Sequence, residues 1–326
     1  MVISKTPYRI SFFGGGTDYP SWYLENGGEV LSTTIDKYCY ITCRYLPPFF
    51  EHKYNIRWSK HEKPNSRSEI SHPSIRACLE YLNISEGVSI SHDGDLPARS
   101  GIGSSSAFTA GMLKGLHAMS GVSLSKEKLL QETLYVEHEM LKEAVGSQDQ
   151  TAAVYGGLNH IEFKTSGQIE VSPLEISSET LLELQSHLIL FFTGLQRTAS
   201  DVASTYVKSL DQKAHALNEL RSMVYESISI LQKKLPICQF GKLLDHAWKI
   251  KRGLSHSISS DHIDDLYRCI ILAGATGGKI TGAGGGGFLL VFAEPHKHAN
   301  IRQQLNKLLH VPFKFENLGS HLLSIH

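Results

Sequence analysis

Three consecutive serines, Ser104, Ser105 and Ser106, stand at the start of a helical pattern and follow a short turn that contains Gly101 and Gly103. The first turn of a helix carries free backbone N–H groups and the positive end of the helix dipole, so it suits an anion, most often a phosphate. A single serine would be enough for an ordinary N-cap. On this segment alone, a phosphate-binding loop and a serine N-cap both remain open.

A second chemical feature is a carboxylate, Glu137, inside an apolar helical stripe. The pattern predicts an amphipathic helix over residues 125–146, in which each residue turns by about 100°. Its apolar stripe contains Leu129, Leu130, Leu134, Val136, Met140, Leu141, Ala144 and Val145. Glu137 lies near the centre of this stripe, Glu139 points almost the opposite way, and Glu132 and Glu143 lie outside it. A carboxylate at the centre is costly unless it pairs with an arginine or binds a cation such as Mg²⁺ beside phosphates.

A second carboxylate, Asp149, follows the same helix. Gly146 predicts the end of the helix, which places Asp149 in a polar turn just beyond it. Aspartate is common in turns, so its position alone carries little information about function.

A glycine cluster lies in the C-terminal part of the chain, where five glycines fall within six positions: Gly282, Gly284, Gly285, Gly286 and Gly287. A dinucleotide-binding fingerprint is excluded here, because that motif needs a helix after it and a strand follows instead. The cluster predicts either a close approach of backbone to backbone or ligand, or a flexible hairpin turn.

The bulk composition is that of a globular protein. The 326 residues are 41% hydrophobic and 20% charged, and 32 basic residues balance 32 acidic ones. A zero net charge gives no support for nucleic-acid binding. No apolar run is long enough to span a membrane, and the N-terminus lacks a signal-peptide core. We therefore expect a cytoplasmic protein that binds neither nucleic acid nor membrane.

Several other classes of site find no support in the sequence. The five cysteines form no C-x-x-C pair and there is no H-E-x-x-H motif, so we expect reduced, buried cysteines and no zinc site. A Walker-type phosphate loop is absent, and the serine segment lacks the last glycine of the G-x-S-x-G elbow of serine hydrolases.

The order of the predicted elements favours an α+β fold rather than a doubly wound sheet. Strand-like segments occur in "YRISFF", "EVLSTTIDKYCYITCRYL" and "GVSISHD", and the last of these ends just before the serine segment. A buried strand in "SHLILFFTG", a mostly helical region and a strand in "GGFLLVFAE" follow. Because helices and strands do not alternate in a regular βαβ rhythm, we expect α+β with a domain boundary near residue 185.

Three segments in this order resemble the motifs of the GHMP kinases, the superfamily of galactokinase, homoserine kinase, mevalonate kinase and phosphomevalonate kinase. They are "TPYRISFFGGGTDYP", "LPARSGIGSSSAFTAG" and "KITGAGGGGFLLVFA". The resemblance implies a two-domain fold with the active site between the domains. Residues 1–185 would form a domain like ribosomal protein S5 domain 2, and residues 186–326 a ferredoxin-like α+β domain. The forms "SFFGGGTDYP", "VGSQDQ" and "FFTGLQRTAS" look most like the branch of D-glycero-D-manno-heptose 7-phosphate kinases.

The resemblance also implies roles at the phosphate end of the site. The serine loop, with Gly101, Gly103, Ser104, Ser105 and Ser106, would wrap the ATP phosphates, and the hydroxyl of Ser105 would reach Mg²⁺. The glycine motif with Gly282, Gly284 and Gly285 would lie near the active site.

Matching "EHE" and "DQ" to the galactokinase-like pattern puts the magnesium glutamate on Glu137 and the catalytic aspartate on Asp149. Arg9 falls where related sugar kinases carry an arginine near the transferred phosphate. The adenine contacts stay open, with Trp58 as one candidate.

For the acceptor, the resemblance implies a binding segment formed by Gly15, Gly16, Thr17 and Asp18, in which Asp18 would hold sugar hydroxyls. Galactokinase has Glu-His where this chain has Gly15-Gly16, which opens space and argues against galactose. A phosphorylated acceptor would need a cationic site. Arg197 is the first candidate for that site, and the weaker ones are Arg99, Lys279 and Arg44.

The implied reaction is transfer of the γ-phosphate of ATP, with Mg²⁺, to the anomeric hydroxyl of D-glycero-D-manno-heptose 7-phosphate. Such a reaction would lead to nucleotide-activated heptose and cell-surface glycans. Two alternatives stay open: a 1-kinase for another, unphosphorylated sugar, and a non-catalytic sugar-sensing homologue. The implied partner is a small sugar phosphate, and a homodimer is compatible with the sequence.

Overall fold

A computed structural model describes residues 1–196, 202, 203, 205, 207 and 210–323 of the chain. Its strands are β1 (Val2–Phe13), β2 (Gly28–Tyr45), β3 (Tyr54–Arg57), β4 (His61–Glu62), β5 (Val88–Gly94), β6 (Leu158–Phe163), β7 (Ile169–Pro173), β8 (Leu188–Phe192), β9 (Gly277–Ile280), β10 (Phe288–Phe292), β11 (Leu309–His310), β12 (Phe315–Glu316) and β13 (His321–Leu323).

The α-helices that frame these strands are α1 (Pro20–Asn26), α2 (Pro73–Tyr81), α3 (Ser104–Met119), α4 (Lys126–Tyr135), α5 (Gln148–Tyr155), α6 (Ser178–Ser186), α7 (Ala214–Leu231), α8 (Cys238–Arg252), α9 (Asp261–Leu272) and α10 (His298–Gln304). Short 3₁₀ turns occur at Arg67–Glu69, Asp211–Lys213 and Pro295–Lys297. Within the described residues, none of the helices has both the length and the apolar character needed to cross a membrane.

The larger sheet is built on the long antiparallel pair of β1 and β2, with α1 in the connection between them. β5 pairs with β2 and β3, β6 pairs with the N-terminal part of β2, and β7 pairs with β6. Helix α3 packs on β1 and β2, and ten of its residues between Ser106 and Leu116 are buried. This packing fixes the N-terminus of α3 beside β1. Cys39, Cys43 and Cys78 are buried and unpaired in this part of the core, as expected.

The smaller sheet has the strand order β11-β8-β10-β9, and its pairs are antiparallel. Helices α7, α8 and α9 lie between β8 and β9 in the chain, and α10 lies between β10 and β11. This order is the β-α-β-β-α-β arrangement of ferredoxin-like domains. The α+β class and the ferredoxin-like C-terminal part expected from the sequence are therefore confirmed.

The C-terminal end of the chain returns to the larger sheet. β12 pairs with β2, and β13 pairs with β1. The division of the chain into domains at 1–185 and 186–326 stays a prediction. The last two strands, β12 and β13, belong to the larger sheet and not to the smaller one.

The long helix expected over residues 125–146 is shorter than predicted. Helix α4 ends at Tyr135, a π-helical turn covers Val136–Met140, and Lys142 has a positive φ of 54°. The wider π turn and the left-handed residue change the helical phase, so Ala144 is exposed instead of lying on the apolar stripe. Glu132, expected outside the stripe, is buried against His117 at 2.7 Å.

Candidate active site

A cavity of about 700 Å³ lies where the two sheets and their helices meet. It is lined from both halves of the chain by groups that could bind phosphates, hydroxyls and an aromatic ring. The polar and glycine residues that line it include Arg9, Ser11, Gly15, Gly16, Asp18, Gly101, Gly103, Ser104, Ser105, Ser106, Gln148, Asp149, Lys251, Gly282, Gly284 and Gly286.

The serine segment begins helix α3, and its first turn faces this cavity. Gly103, with a φ of 73°, occupies the N-cap position, and no side chain caps the helix. The serine N-cap considered from the sequence is therefore wrong. The uncapped backbone N–H groups of Ser104 and Ser105 are left available to an anion. The hydroxyl of Ser104 accepts a hydrogen bond from the Arg99 N–H at 3.3 Å.

The glycine cluster forms the turn between β9 and β10 and packs directly on the serine loop. A Cβ atom on Gly282 would lie 2.5 Å from the Cα of Gly101, and one on Gly101 would lie 2.4 Å from the carbonyl oxygen of Thr281. Both glycines also have positive φ, 66° for Gly282 and 76° for Gly101. The two motifs thus meet backbone to backbone, which only glycine allows.

Arg9 on β1 and Asp149 on α5 form a bidentate ion pair. Arg9 Nε donates to Asp149 Oδ1 at 2.7 Å and Nη2 donates to Oδ2 at 2.9 Å. Arg9 Nη1 donates to the Gly101 carbonyl at 2.7 Å, and its backbone N–H donates to the Ile102 carbonyl at 3.0 Å. Asp149 lies in the first turn of α5 and not in a polar turn, which corrects the expectation from the sequence. The pair fixes the guanidinium between the serine loop and the carboxylate.

Asp18 lies on the other side of Asp149 and is fully buried by the glycine turn around it. Its Oδ1 accepts the Gly16 N–H at 2.9 Å, and its Oδ2 accepts the Gln148 N–H at 3.4 Å. Burial raises the pKa of the Asp18 carboxyl, and the nearby charge of Asp149 adds to this increase. Asp18 is therefore a buried acceptor near the Arg9–Asp149 ion pair, suited to hold a hydroxyl of a ligand.

Thr17 does not face the cavity. Its hydroxyl donates to the Gly14 carbonyl at 2.8 Å and accepts the Glu29 N–H at 3.0 Å. The expectation that Thr17 binds the substrate is therefore corrected, because its only polar side-chain atom is used to close the turn.

Two polar side chains that the sequence did not single out lie on either side of Gly15. A Cβ atom on Gly15 would lie 3.5 Å from Gln148 Nε2 and 3.6 Å from Ser11 Oγ. Ser11 Oγ and Gln148 Oε1 are both buried, with no hydrogen-bond partner among the described residues. Buried polar atoms normally find partners, so this niche is suited to hydroxyl groups of a ligand. Ser11 could have been found from the alternation of β1, which places it on the same face as Arg9.

Glu137 is fully buried, as the helical phase predicted, and it meets Ser106 rather than Ser105. Ser106 Oγ donates to Glu137 Oε2 at 2.9 Å, and Gln150 Nε2 donates to the same oxygen at 2.6 Å. Burial raises the pKa of Glu137 to about 7. Ser105 is exposed, whereas the next residue along the helix, Ser106, is turned towards the core. The expectation that Ser105 and Glu137 hold the metal ion together is therefore corrected. No arginine pairs with Glu137 among the described residues.

The oxygen atoms around Ser106 fit a magnesium ion. Glu137 Oε1 and Gln150 Oε1 are buried without a hydrogen-bond partner in the part of the chain that the structure covers. Carboxylate and hydroxyl oxygens are ligands that Mg²⁺ accepts, and phosphates of a nucleotide commonly complete its coordination. Among the described residues, no cluster of three or more His, Cys, Asp or Glu side chains could hold a metal ion without such help.

Lys251, at the end of α8, is a further cavity residue that the sequence did not single out. It is 7% exposed, and its Nζ donates to the Gly282 carbonyl. Burial lowers the pKa of Lys251 to about 8, and the charge of Arg9 lowers it further while Asp18 and Asp149 raise it.

The four candidates for a substrate-phosphate site lie in different places. Arg197 lies outside the described residues. Arg99 is exposed and lines the cavity near Ser104. Lys279 is buried and donates to the Phe12 carbonyl at 2.8 Å, and Arg44 is exposed on β2; neither lines the cavity.

The far end of the cavity is aromatic. Trp58 contacts His72 edge-on at a ring distance of 4.8 Å, and His72 stacks on Phe108 at 4.5 Å. Burial lowers the pKa of His72 to about 4, so its ring is neutral at pH 7. Trp58 therefore lies where a planar, uncharged group could bind, beyond the serine loop from Arg9 and Asp149.

Two family models match the chain: the GHMP kinases N-terminal domain at residues 72–157 and the GHMP kinases C-terminal domain at residues 237–311. The D-glycero-alpha-D-manno-heptose 7-phosphate kinase of Campylobacter jejuni is 28% identical over 319 residues, covering 94% of this chain and 93% of that protein. The bifunctional fucokinase/GDP-fucose pyrophosphorylase of Arabidopsis thaliana is 26% identical, and this chain spans 31% of its length.

Among solved structures, a D-glycero-D-manno-heptose 1-phosphate kinase from Bacteroides thetaiotaomicron superposes over the whole of both chains with a TM-score of 0.82 at 24% identity. The two family models and the homologous sugar kinase, together with the fold, support an ATP-dependent kinase of small molecules. With both family models matched in order, the chain belongs to the GHMP kinases.

Proposed function

We propose that this kinase transfers the γ-phosphate of ATP to the anomeric hydroxyl of a heptose 7-phosphate, with D-glycero-D-manno-heptose 7-phosphate as the preferred acceptor. The observation that carries the proposal is the Arg9–Asp149 pair, which lies between the serine loop and the niche of Ser11, Asp18 and Gln148. The similarity to the Campylobacter jejuni heptose 7-phosphate kinase supports the choice of sugar.

Phosphoryl transfer depends mainly on positioning and on stabilisation of negative charge. The backbone N–H groups at the start of α3 would bind the nucleotide phosphates, as Gly101 and Gly103 leave room for them. Asp149 would accept a hydrogen bond from the acceptor hydroxyl and aim its oxygen at the γ-phosphorus. Arg9, already fixed by Asp149 and the Gly101 carbonyl, would stabilise charge on the phosphoryl group.

A magnesium ion would be held by Ser106 and Glu137 together with nucleotide phosphates. When bound, the ion supplies positive charge that offsets the negative charge of the triphosphate. Ser106 takes the place that the sequence had suggested for Ser105, because its hydroxyl is the one that contacts Glu137.

The sugar would lie over Gly15 and Gly16. Ser11, Asp18 and Gln148 would bind its hydroxyl groups. Ser11 Oγ and Gln148 Nε2 lie beside Gly15, and Ser11 Oγ and Gln148 Oε1 are buried without a hydrogen-bond partner among the described residues. A side chain at Gly15 would enter the same space, which agrees with an acceptor larger than galactose. Arg197 stays the predicted partner of the acceptor phosphate.

The test is a coupled ADP-release assay with purified protein on a panel that contains heptose 7-phosphate, the same heptose without its phosphate, L-fucose, galactose and mevalonate. Charge-assisted contacts contribute about 1.5–3 kcal/mol, so kcat/KM should be about ten- to a hundredfold higher for the phosphorylated heptose. ³¹P NMR of the product should show a new phosphate on the anomeric carbon.

Two outcomes would contradict the proposal. Equal use of the unphosphorylated heptose would indicate a 1-kinase for another sugar, and Arg197→Ala would then change neither rate. Sugar binding by calorimetry without turnover on the whole panel would indicate a non-catalytic sugar sensor. The cytoplasmic location and a homodimer stay predictions.

A further inference from the structure

Lys251 is a buried lysine that forms no ion pair with a carboxylate of the described residues. Helix α8 buries Phe240, Leu244, Ala247 and Trp248 in its apolar stripe, and Lys251 continues this stripe into the cavity. Its Nζ donates to the Gly282 carbonyl, and no ion pair links it to an acidic side chain in the described part of the chain. An ammonium group in such a place is unfavourable unless an anion arrives to pair with it.

The position of this ammonium is defined by the backbone that it contacts. Gly282 touches Gly101 of the serine loop, and the carbonyl of Gly101 accepts the hydrogen bond from Arg9. The charges that act on Lys251 include those of Arg9, Asp18 and Asp149, and Lys251 in turn lowers the pKa of the buried Lys279. Lys251 therefore lies at the junction between the nucleotide phosphates and the acceptor niche, where a phosphoryl group would move.

A purely structural lysine is the alternative, and the chain offers one for comparison. Lys279 is equally buried and donates to the Phe12 carbonyl at 2.8 Å, but it does not line the cavity. Lys251 makes the same kind of carbonyl contact and also faces the cavity. Arg9 forms an ion pair with Asp149, whereas no carboxylate of the described residues lies within ion-pair distance of Lys251, although the charges of Asp18 and Asp149 raise its pKa.

We propose that Lys251 is a catalytic residue whose ammonium contacts the phosphoryl group during its transfer, an inference that rests on the proposed kinase function. In this step the acceptor oxygen forms a bond to the γ-phosphorus, and the bond from γ-phosphorus to the bridging oxygen breaks. The electron pair of the broken bond stays on ADP, and the hydroxyl proton passes to Asp149 and then to solvent. Lys251 keeps its protons and, with Arg9, stabilises the charge on the moving group.

The burial of Lys251 fits this role. Its pKa of about 8 leaves it mostly protonated at pH 7, and an adjacent phosphoryl dianion would favour the charged form further. Arg9 and Asp149 come from the N-terminal half and Lys251 from the C-terminal half, so this set of charges needs both halves of the chain.

The test compares Lys251→Met and Lys251→Arg with Lys249→Met, a control two residues away on α8 that is largely exposed and pairs with Asp245 at 2.6 Å. Removal of one group that stabilises transition-state charge lowers kcat by about 100- to 1000-fold. We expect this loss for Lys251→Met, little change in the KM for ATP, partial activity for Lys251→Arg and wild-type rates for Lys249→Met. A loss confined to the KM of the acceptor would overturn the proposal.

A second measurement needs no acceptor. ADP with aluminium fluoride mimics the phosphoryl group in transfer, and calorimetry gives its affinity beside that of ADP alone. The wild type should bind the mimic more tightly than ADP, and Lys251→Met should lose that difference while binding ADP normally. A variant that keeps the difference would refute the role of Lys251. A wild type that binds the mimic but turns over no sugar would refute the proposed acceptor alone.

Discussion

Replacing Lys251 by methionine should make the ligand-free protein more stable at pH 7, even though it removes a group needed for activity. Methionine has a similar length and fits a buried stripe, whereas the lysine holds a charge there with a single carbonyl partner. Sites that bind anions often keep such unfavourable charges, and their removal stabilises the fold at the expense of function.

The magnitude follows from the pKa of Lys251, which burial lowers from 10.5 to about 8. A pKa difference of one corresponds to about 1.4 kcal/mol, so the charged lysine destabilises the fold by about 3 kcal/mol at pH 7. Methionine removes this penalty but leaves the Gly282 carbonyl without its donor, which costs about 1–3 kcal/mol. The net change in the free energy of unfolding should therefore be a gain of between about 0 and 2 kcal/mol.

The sign of the pH dependence separates this effect from ordinary repacking. The folded-state pKa of Lys251 lies below the unfolded value, so between about pH 8 and 10.5 the unfolded chain holds more protons than the folded chain. The stability of the wild type relative to the variant therefore rises with pH through this range. The advantage of Lys251→Met should shrink by about 2 kcal/mol between pH 7 and 9.5.

Urea unfolding at pH 7, 8.5 and 9.5 measures this difference, and the effects of titratable groups remote from Lys251 cancel between the two proteins. Lys249→Met is the control, and it should change stability by less than about 0.5 kcal/mol at each pH because an exposed ion pair contributes little. If Lys251→Met is less stable than the wild type at pH 7 and the difference does not vary with pH, Lys251 is a structural tether and the reasoning fails.

Three further substitutions test the metal and catalytic groups. Glu137→Gln should sharply lower turnover in a magnesium titration and Glu139→Gln should not, because Glu137 is buried and Glu139 is exposed; a larger loss for Glu139 would contradict the helical phase. Ser106→Ala should raise the magnesium concentration for half-maximal rate more than Ser105→Ala, and equal effects would mean that neither hydroxyl reaches the ion. Asp149→Asn should leave ATP affinity by calorimetry near normal and lower kcat by about 100-fold or more, whereas a normal kcat would exclude a catalytic role.

The sequence predicted the phase of Glu137 but not the path of the chain after it. Helix α4 is regular up to Tyr135, so the 100° rule still held at Glu137. The π turn and the left-handed Lys142 then broke the periodicity, and Asp149 moved from a turn into α5. Such local breaks depend on packing against the rest of the fold, and no pattern in this segment indicated them.

The choice between Ser105 and Ser106 needed the start of helix α3, which a serine run does not define. If a serine had been the N-cap, each following serine would have faced a different direction. Because Gly103 is the N-cap, Ser106 is the third helical residue and turns inward to Glu137, while Ser105 stays exposed. The family resemblance, and not spacing, assigned Arg9 and Asp149 to the same active site, and their direct ion pair was not predicted.

Lys251 could have been found by the argument that identified Glu137. Phe240, Leu244, Ala247 and Lys251 follow one another at helical spacing, so the lysine lies in an apolar stripe, as Glu137 does. A charged residue in such a stripe must pair with something, and in both helices no oppositely charged side chain among the described residues fills that role. The two residues have opposite charge. The glutamate is suited to bind a cation, and the lysine is suited to bind a phosphoryl group. The same physical rule therefore predicts that both lie on the path of the phosphate, one from each half of the chain.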